Sequence, residues 1–207
     1  MINPKHLRRH YRQLRAGLDA AQQATNAGRL AQQIETFVGW RKPSRIAGYL
    51  ATGGEISLAP WFARNRRHRL FLPKLYEPME PRLRFAEIGR QSRWKRNRFN
   101  IIEPDCHWGE TLDARQLELV LTPLVAFDEH GHRLGMGGGY YDRTLAFRRF
   151  RRVWRKPLVV GVAHSLQQHA SIPHQPWDVP LDAVITERGI ILPSPDVASA
   201  GSGSLEE

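Results

Sequence analysis

The chain has 207 residues, 41% of them hydrophobic and one of them cysteine, with 31 Lys and Arg against 20 Asp and Glu for a formal charge of +11. That length supports one sizeable core, so residues 1–193 are expected to form a single domain, and the lone thiol of Cys106 excludes an internal disulfide or a multi-cysteine zinc site. No run of about 18 apolar residues is present to span a membrane, and the opening MINPKHLRRHYRQLR lacks the apolar stretch of a secretory signal, so a cytoplasmic protein with acidic partners is expected.

The N-terminal region predicts two helices. Asp19 is a suitable N-cap before AAQQATNAGRLAQQIETFVG, where Leu30, Ile34, Phe37 and Val38 recur on one helical face until Gly39 ends it. In the preceding helix Arg8, Arg12 and Arg15 share a face at i, i+4, i+7, and Arg9 points elsewhere. RIAGYLAT (45–52) predicts a short buried strand closed by Gly53 and Gly54, after which Ser57 can cap a third helix through Trp61 and Phe62. RLFLPKL and the alternating RLRFAEI predict two further strands, with the Pro-rich LYEPMEPRL as the turn between them. LELVLTPLVAF is too continuously apolar for a one-sided sheet. It predicts a central strand buried on both faces, and hence a parallel or mixed sheet with helices on either side. RLGMGGGYYDR follows it, then a helix from about residue 140, then PLVVGVA and LDAVITE as buried strands. The segment 194–207, SPDVASAGSGSLEE, is small, polar and aperiodic, and is expected to be a disordered tail.

Gly135, Gly137, Gly138 and Gly139 thus stand between a central strand and a helix, the place where open α/β sheets bind ligands and where backbone amides favour anions. With no Cβ in the way, such a loop can turn its N–H groups onto a phosphate. A tight strand-to-helix turn without a ligand has the same composition. The spacing matches neither G-x-x-x-x-G-K-[ST] nor G-x-G-x-x-G, because position 140 is Tyr. Asp142 falls in the first turn of the following helix, suited either to a cation bridging phosphates or simply to the helix dipole. Asp182 and Asp178 in PWDVPLDAVITE are candidates for a second carboxylate, and the histidines lack the spacing of a zinc site.

The stretch TPLVAFDEHGHRLGMGGGYYDRTL, together with VGVAH and PWDVPLDAVITE, resembles the 5-formyltetrahydrofolate cyclo-ligase family. The likeness extends to the Arg-rich N-terminal helix, YLATGGEISLAPW, LPKL and FNIIEP. It implies a three-layer α/β/α sandwich with a mostly parallel central sheet. It also implies an ATP- and Mg²⁺-dependent conversion of 5-formyltetrahydrofolate to 5,10-methenyltetrahydrofolate with release of ADP and phosphate. On this resemblance Arg133, Leu134, Gly135, Met136, Gly137, Gly138, Gly139, Tyr140 and Tyr141 line the ATP phosphates, joined by Lys5 and Arg8 from the N-terminal helix. A shift of one residue there would hand these roles to Arg9 or Arg12. Arg133, Tyr140 and Asp142 match catalytic positions, and Asp142 and Asp182 match magnesium carboxylates. Met136 to Tyr140 also border the folate, with Leu50 as an apolar wall, Glu55 on the pterin N–H donors, Phe99 stacked on the pterin ring and Lys74 facing phosphate. Taken without the resemblance, Glu55 also reads as a helix-capping acid, Phe99 as core and Lys74 as an exposed strand end.

The implied partner is the folate, whose polyglutamylated form would bring an anionic tail to the basic surface; neither membrane nor nucleic acid is expected. A nucleic-acid surface would account for FRRFRRVWRK, and a sugar-phosphate isomerase or transferase relative would share the fold. The first leaves the glycine loop and its acids unexplained, and the second leaves that loop paired with the GGE motif unexplained.

Overall fold

A computed structural model describes residues 3–39, 42, 44–65, 67–76, 81–150 and 156–194. The expected turn at 77–80, the basic stretch 151–155 and the expected tail from 195 onward lie outside the described residues. Helix α1 (Pro4–Ala16) begins where the Asn3 side chain accepts the Lys5 amide, with Pro4 in the first turn where a missing N–H costs nothing. Asp19 caps α2 (Ala20–Val38) by accepting from Gln22, and the Gln22 side chain accepts in return from the Asp19 amide, a reciprocal box that satisfies two otherwise orphaned donors.

Strand β1 (Arg45–Ala47) is shorter than the expected 45–52. Beyond Ala47 the chain leaves the sheet, and the buried Tyr49 donates its hydroxyl to the Ile56 carbonyl at 2.7 Å, folding the segment back on itself. Ser57 accepts the Ala59 amide, yet α3 (Ala59–Arg64) begins one residue later than a Ser57 cap would place it, at Leu58 with no side-chain cap. The remaining elements are β2 (Arg69–Tyr76), β3 (Arg82–Glu87), β4 (Trp94–Arg96), β5 (Ile102–Pro104), β6 (Thr111–Leu112), β7 (Leu119–Pro123), β8 (Ala126–Phe127), β9 (Arg133–Leu134), α4 (Tyr140–Leu145), β10 (Leu158–Val162), β11 (Ala183–Ile185) and β12 (Ile190–Ile191).

Eight strands make one sheet in the order β12-β11-β10-β7-β1-β2-β3-β6. From β11 through β10, β7 and β1 to β2 the pairing is parallel; β12, β3 and β6 join antiparallel at the flanks. The period-2 alternation of the central strands sends Ile46, Leu119, Leu121, Val160 and Val162 to one face, where they meet Leu30, Ile34 and Val38 of α2 and Trp61 of α3. Ala47, Val120, Val159 and Val184 face the other side and meet Leu145 of α4 with Ala114 and Leu117. Each such aliphatic side chain contributes roughly 1.5–3 kcal/mol on burial, which explains why a strand covered on both sides is apolar at every position. This is the expected three-layer architecture.

The glycine loop does not follow the central strand directly, as expected; the hairpin β8–β9 stands between them. Asp128, wholly buried, organises that hairpin by accepting the amides of His130, His132 and Ile172 at 3.1, 2.9 and 2.8 Å. Leu7 and Tyr11 of α1 pack on Val125, Ala126 and Leu134 of the same region, so the N-terminal helix is carried to the start of the loop. Among the described residues, no helix is long and apolar enough to cross a membrane.

Candidate active site

The loop after β9 adopts backbone conformations that exclude most side chains. Gly137 has φ +97° and Gly139 has φ +64°, and a Cβ on Gly139 would lie 2.7 Å from the Arg143 guanidinium. Arg143 holds the loop in shape: its Nη2 donates to the Gly138 carbonyl and its Nε to the Pro81 carbonyl at 2.7 Å. The sequence reading did not single it out, although it closes the YYDR motif. On the other side Arg8 donates from Nε to the Gly135 carbonyl at 2.8 Å, and its guanidinium passes 3.7 Å from where a Gly137 Cβ would stand. Helical phase selects Arg8 for this contact. Lys5 is exposed, and Leu134 is buried against α1, its carbonyl accepting the Val125 amide at 2.7 Å; Met136 is 56% exposed.

Glu55 stands at the end of the GGE turn, where its carboxylate accepts from the Thr52 amide at 3.0 Å and the Thr52 hydroxyl at 3.4 Å instead of capping α3. Burial pushes its carboxyl above the ordinary value, with the Thr52 hydrogen bonds and the Arg15 charge pulling the other way. The same carboxylate is felt by Tyr141, whose phenol is pushed up mainly by burial and further by Glu55, and opposed by Arg133 and Thr122. Tyr49 is raised by burial, Glu55 and Tyr141. Arg15 donates to the Gly53 carbonyl and to the Leu124 carbonyl just beyond β7, which sets the turn that carries Glu55 over the carboxyl end of the central strand; Tyr49 and Tyr141 feel the Glu55 charge there, and Tyr141 that of Arg133, and these side chains make up the cluster. Two surface cavities of about 290 and 330 Å³ lie outside the cluster, the first beside Trp61 and His68 and the second beside Arg143 and Phe147.

Phe99 tops the β4–β5 hairpin, 50% exposed, which excludes a core role. Its ring lies edge-on to Tyr140 at 6.0 Å, and the adjacent Arg98 donates to the Tyr140 hydroxyl at 2.7 Å, so the hairpin tip reaches the glycine loop. Leu50, partly exposed, lies in the segment leaving β1. Lys74 corrects the expectation of a phosphate-facing lysine. It is 2% exposed beneath the hairpin, donates from Nζ to the Pro104 carbonyl at 3.2 Å and stands 3.8 Å from Glu103. An ammonium enclosed in this way anchors the hairpin to β2.

The two acids expected to hold magnesium differ in their surroundings. Asp142, its side chain 31% exposed, accepts through Oδ1 from Arg133, whose buried guanidinium also donates to the Val179 carbonyl. Its Oδ2 has no hydrogen-bond partner among the described residues, so Asp142 fits a hard cation that prefers one or two carboxylates plus phosphate oxygens and water. Asp182 does not fit as it stands. Arg148 grips both of its oxygens at 2.7 and 2.9 Å, and the Val159 amide adds a third donor at 2.6 Å. Among the described residues no group of three or more His, Cys, Asp or Glu could hold a metal alone, so a divalent ion would need oxygens from the ligand.

A mostly parallel sheet covered on both faces, with a bare loop, an arginine and a half-free carboxylate gathered at its carboxyl edge, is the framework of an α/β enzyme for an anionic ligand. The chain belongs to the 5-formyltetrahydrofolate cyclo-ligase family, whose model matches residues 2–187. It is 36% identical over 179 residues to the 5-formyltetrahydrofolate cyclo-ligase of Escherichia coli, covering 84% of this chain and 95% of that protein. To the Haemophilus influenzae cyclo-ligase it is 35% identical over 181 residues, 84% of this chain and 92% of the relative. The NMR structure of Aquifex aeolicus 5,10-methenyltetrahydrofolate synthetase superposes with a TM-score of 0.76 at 29% identity, covering 100% of this chain and 97% of that one.

Proposed function

We propose that the chain converts 5-formyltetrahydrofolate to 5,10-methenyltetrahydrofolate in the cytoplasm, using ATP and Mg²⁺ and releasing ADP and phosphate. The observation that carries this reading is the glycine loop flanked by Arg8, with the turn that bears Glu55 held by Arg15 over the neighbouring strand end. One cluster thereby offers a carboxylate suited to the N–H donors of a pterin and a bare backbone flanked by Arg8 suited to phosphates.

The formyl group on N5 is amide-like, and its oxygen leaves poorly. Transfer of the γ-phosphoryl group to that oxygen breaks the bond to ADP and forms a C–O–P link. The N10 lone pair then attacks the formyl carbon, the N10 proton departs to solvent, and the C–O bond breaks with its electrons on phosphate. This chemistry asks the protein for position and charge, not for a nucleophile. Gly135 to Gly139 and Arg8 bind the phosphates, with Lys5 one turn earlier on the helix. Glu55 accepts from the pterin, Leu50 and Met136 supply apolar walls, and Phe99 and Tyr140 flank the ring. Arg133 fixes Asp142, which would hold magnesium together with phosphate oxygens; bound there, the ion neutralises charge on the transferred group. Asp182 joins that set only if Arg148 releases it. Exposed Arg96 and Arg98 near Phe99, with exposed Arg93 at the base of the same hairpin, support acceptance of a polyglutamyl tail; equal KM values for mono- and polyglutamylated substrate at low salt would remove that part of the proposal.

The test mixes purified protein with 5-formyltetrahydrofolate and Mg-ATP and follows the near-ultraviolet absorbance of the methenyl product, with ATP-free and EDTA controls. Product is expected only with nucleotide and metal together; its absence in the complete mixture ends the reading. Glu55→Gln is expected to raise the folate KM about tenfold with the ATP KM within about twofold, the loss of roughly one charge-assisted hydrogen bond. Because the ionised carboxylate is the acceptor and burial raises its proton affinity, folate binding weakens as pH falls through a range above the ordinary 4.5, and Glu55→Gln removes that dependence.

A further inference from the structure

We infer that Arg15 is a positioning residue for the folate subsite: its guanidinium ties the Gly53–Glu55 turn to the end of the central strand and so sets where the Glu55 carboxylate stands. The inference rests on the proposed role of Glu55.

Arg15 sits in the last turn of α1 and is 1% exposed. A buried guanidinium is costly, and where stability alone is at stake an apolar side chain of similar volume does as well or better. Its contacts are of an unusual kind. Nη1 donates to the Leu124 carbonyl at 3.2 Å, just beyond β7, and Nη2 donates to the Gly53 carbonyl at 3.1 Å. Its Nε has no hydrogen-bond partner among the described residues. The charge is therefore answered by two backbone dipoles and, at longer range, by Glu55, which heads the opposite charges that Arg15 feels.

The contacted segments are the two that frame the cluster: the strand end beneath it and the turn that carries Glu55. A planar fork with fixed N–H directions sets the spacing between two carbonyls in a way that a lysine ammonium does not. The turn also lies flat on the helix. A Cβ on Gly54 would come within 3.3 Å of the Arg15 Cβ and carbonyl oxygen, and Gln23 reaches the Arg15 and Gly54 carbonyls at 3.4 and 3.5 Å. Two helical turns earlier on the same face, Arg8 holds the Gly135 carbonyl. One face of α1 thus registers both loops, Arg8 the phosphate side and Arg15 the pterin side, about 10 Å apart along the axis.

Two substitutions in the full chain test this: Arg15→Met, which keeps length and loses charge and donors, and Arg15→Lys, which keeps the charge and loses the fork. Arg15→Met is expected to raise the folate KM about tenfold or more, to leave the ATP KM within about twofold and to change kcat less than about threefold. The pH at which folate binding weakens is expected to move upward, because a positive charge opposing protonation of Glu55 is gone. Arg15→Lys is expected to return that pH close to the wild-type value while the folate KM stays raised several-fold. A folded Arg15→Met enzyme whose folate and ATP KM values rise together, or whose pH dependence does not move, overturns the inference. Should Arg15→Met fail to fold, Arg15→Lys decides: a rise confined to the folate KM supports the role, and an equal rise in both sinks it. The wild-type arm separates the two levels of argument. No methenyl product from wild type ends the proposed function and this inference with it, whereas normal product with a silent Arg15→Met ends this inference alone.

Discussion

Arg133–Asp142 and Arg148–Asp182 are the same chemical pair in two settings. In both the arginine is buried, its side chain 5% exposed in the first and 8% in the second. The first pair uses one carboxylate oxygen and leaves the other without a hydrogen-bond partner among the described residues, on a residue 31% exposed. The second uses both oxygens and adds the Val159 amide, on a residue 14% exposed. What separates them is acceptor capacity: a carboxylate with an unspent oxygen can take a ligand, and one that already answers three donors is spent on the fold. An ion pair by itself marks neither a site nor a strut.

The largest expected effect breaks the first pair. Asp142→Asn should lower kcat at least about 100-fold at saturating Mg²⁺, since on the proposed mechanism the metal would lose its charged ligand. The melting temperature should fall less than in the second substitution, because the amide oxygen still accepts from Arg133. Unchanged turnover would remove Asp142 from the mechanism. Next, Asp182→Asn should cost about 3 kcal/mol, or roughly 6–12 °C in Tm, because one amide oxygen cannot satisfy three donors and its NH₂ must face another. The folded fraction should keep near-normal kcat and magnesium requirement. A variant that melts normally but needs far more magnesium would return Asp182 to the cation and erase the contrast.

How far these differences could be read beforehand depends on the range of the interaction. Helix α2 was legible because Asp19, the apolar stripe and Gly39 are local signals, and the central strand because two-sided burial writes itself as a continuous apolar run. The loop, the helix after it and the face of α1 that carries Arg8 and Arg15 followed from spacing. The β4–β5 hairpin did not: Trp94, Lys95 and Arg96 are all exposed, so no alternation marks them, and the tip announces itself only through Asn100 at φ +59°. Missing that hairpin is what made Lys74 look like an open strand end, since its cover comes from Pro104 and Glu103 across the fold. Asp182 was likewise unreadable because its partner, Arg148, lies in another element. Helical phase could show that Arg15 points inward, but not that two carbonyls wait there.

A third pair supplies the smallest effect and the control. Arg69 and Glu87 bridge β2 and β3 through two hydrogen bonds of 2.8 and 2.5 Å, as well made as those of Arg148 and Asp182, but their side chains are 63% and 43% exposed. The hydrogen bond from Arg69 holds the Glu87 carboxyl below its ordinary 4.5. A lowered carboxyl stabilises the fold above its ordinary value, and that contribution is lost as pH falls through the lowered native value. Water and salt screen a pair this exposed, so Glu87→Gln is expected to move Tm by no more than about 2 °C at pH 7, less in about 0.5 M NaCl, and progressively less as acid protonates the carboxylate. Thermal melts of the three variants side by side decide the matter. If Glu87→Gln cost as much as Asp182→Asn, desolvation would not be what makes the Arg148 pair a strut, and the case for Asp142 as the acid with a coordination site to spare would have to stand on the kinetics alone.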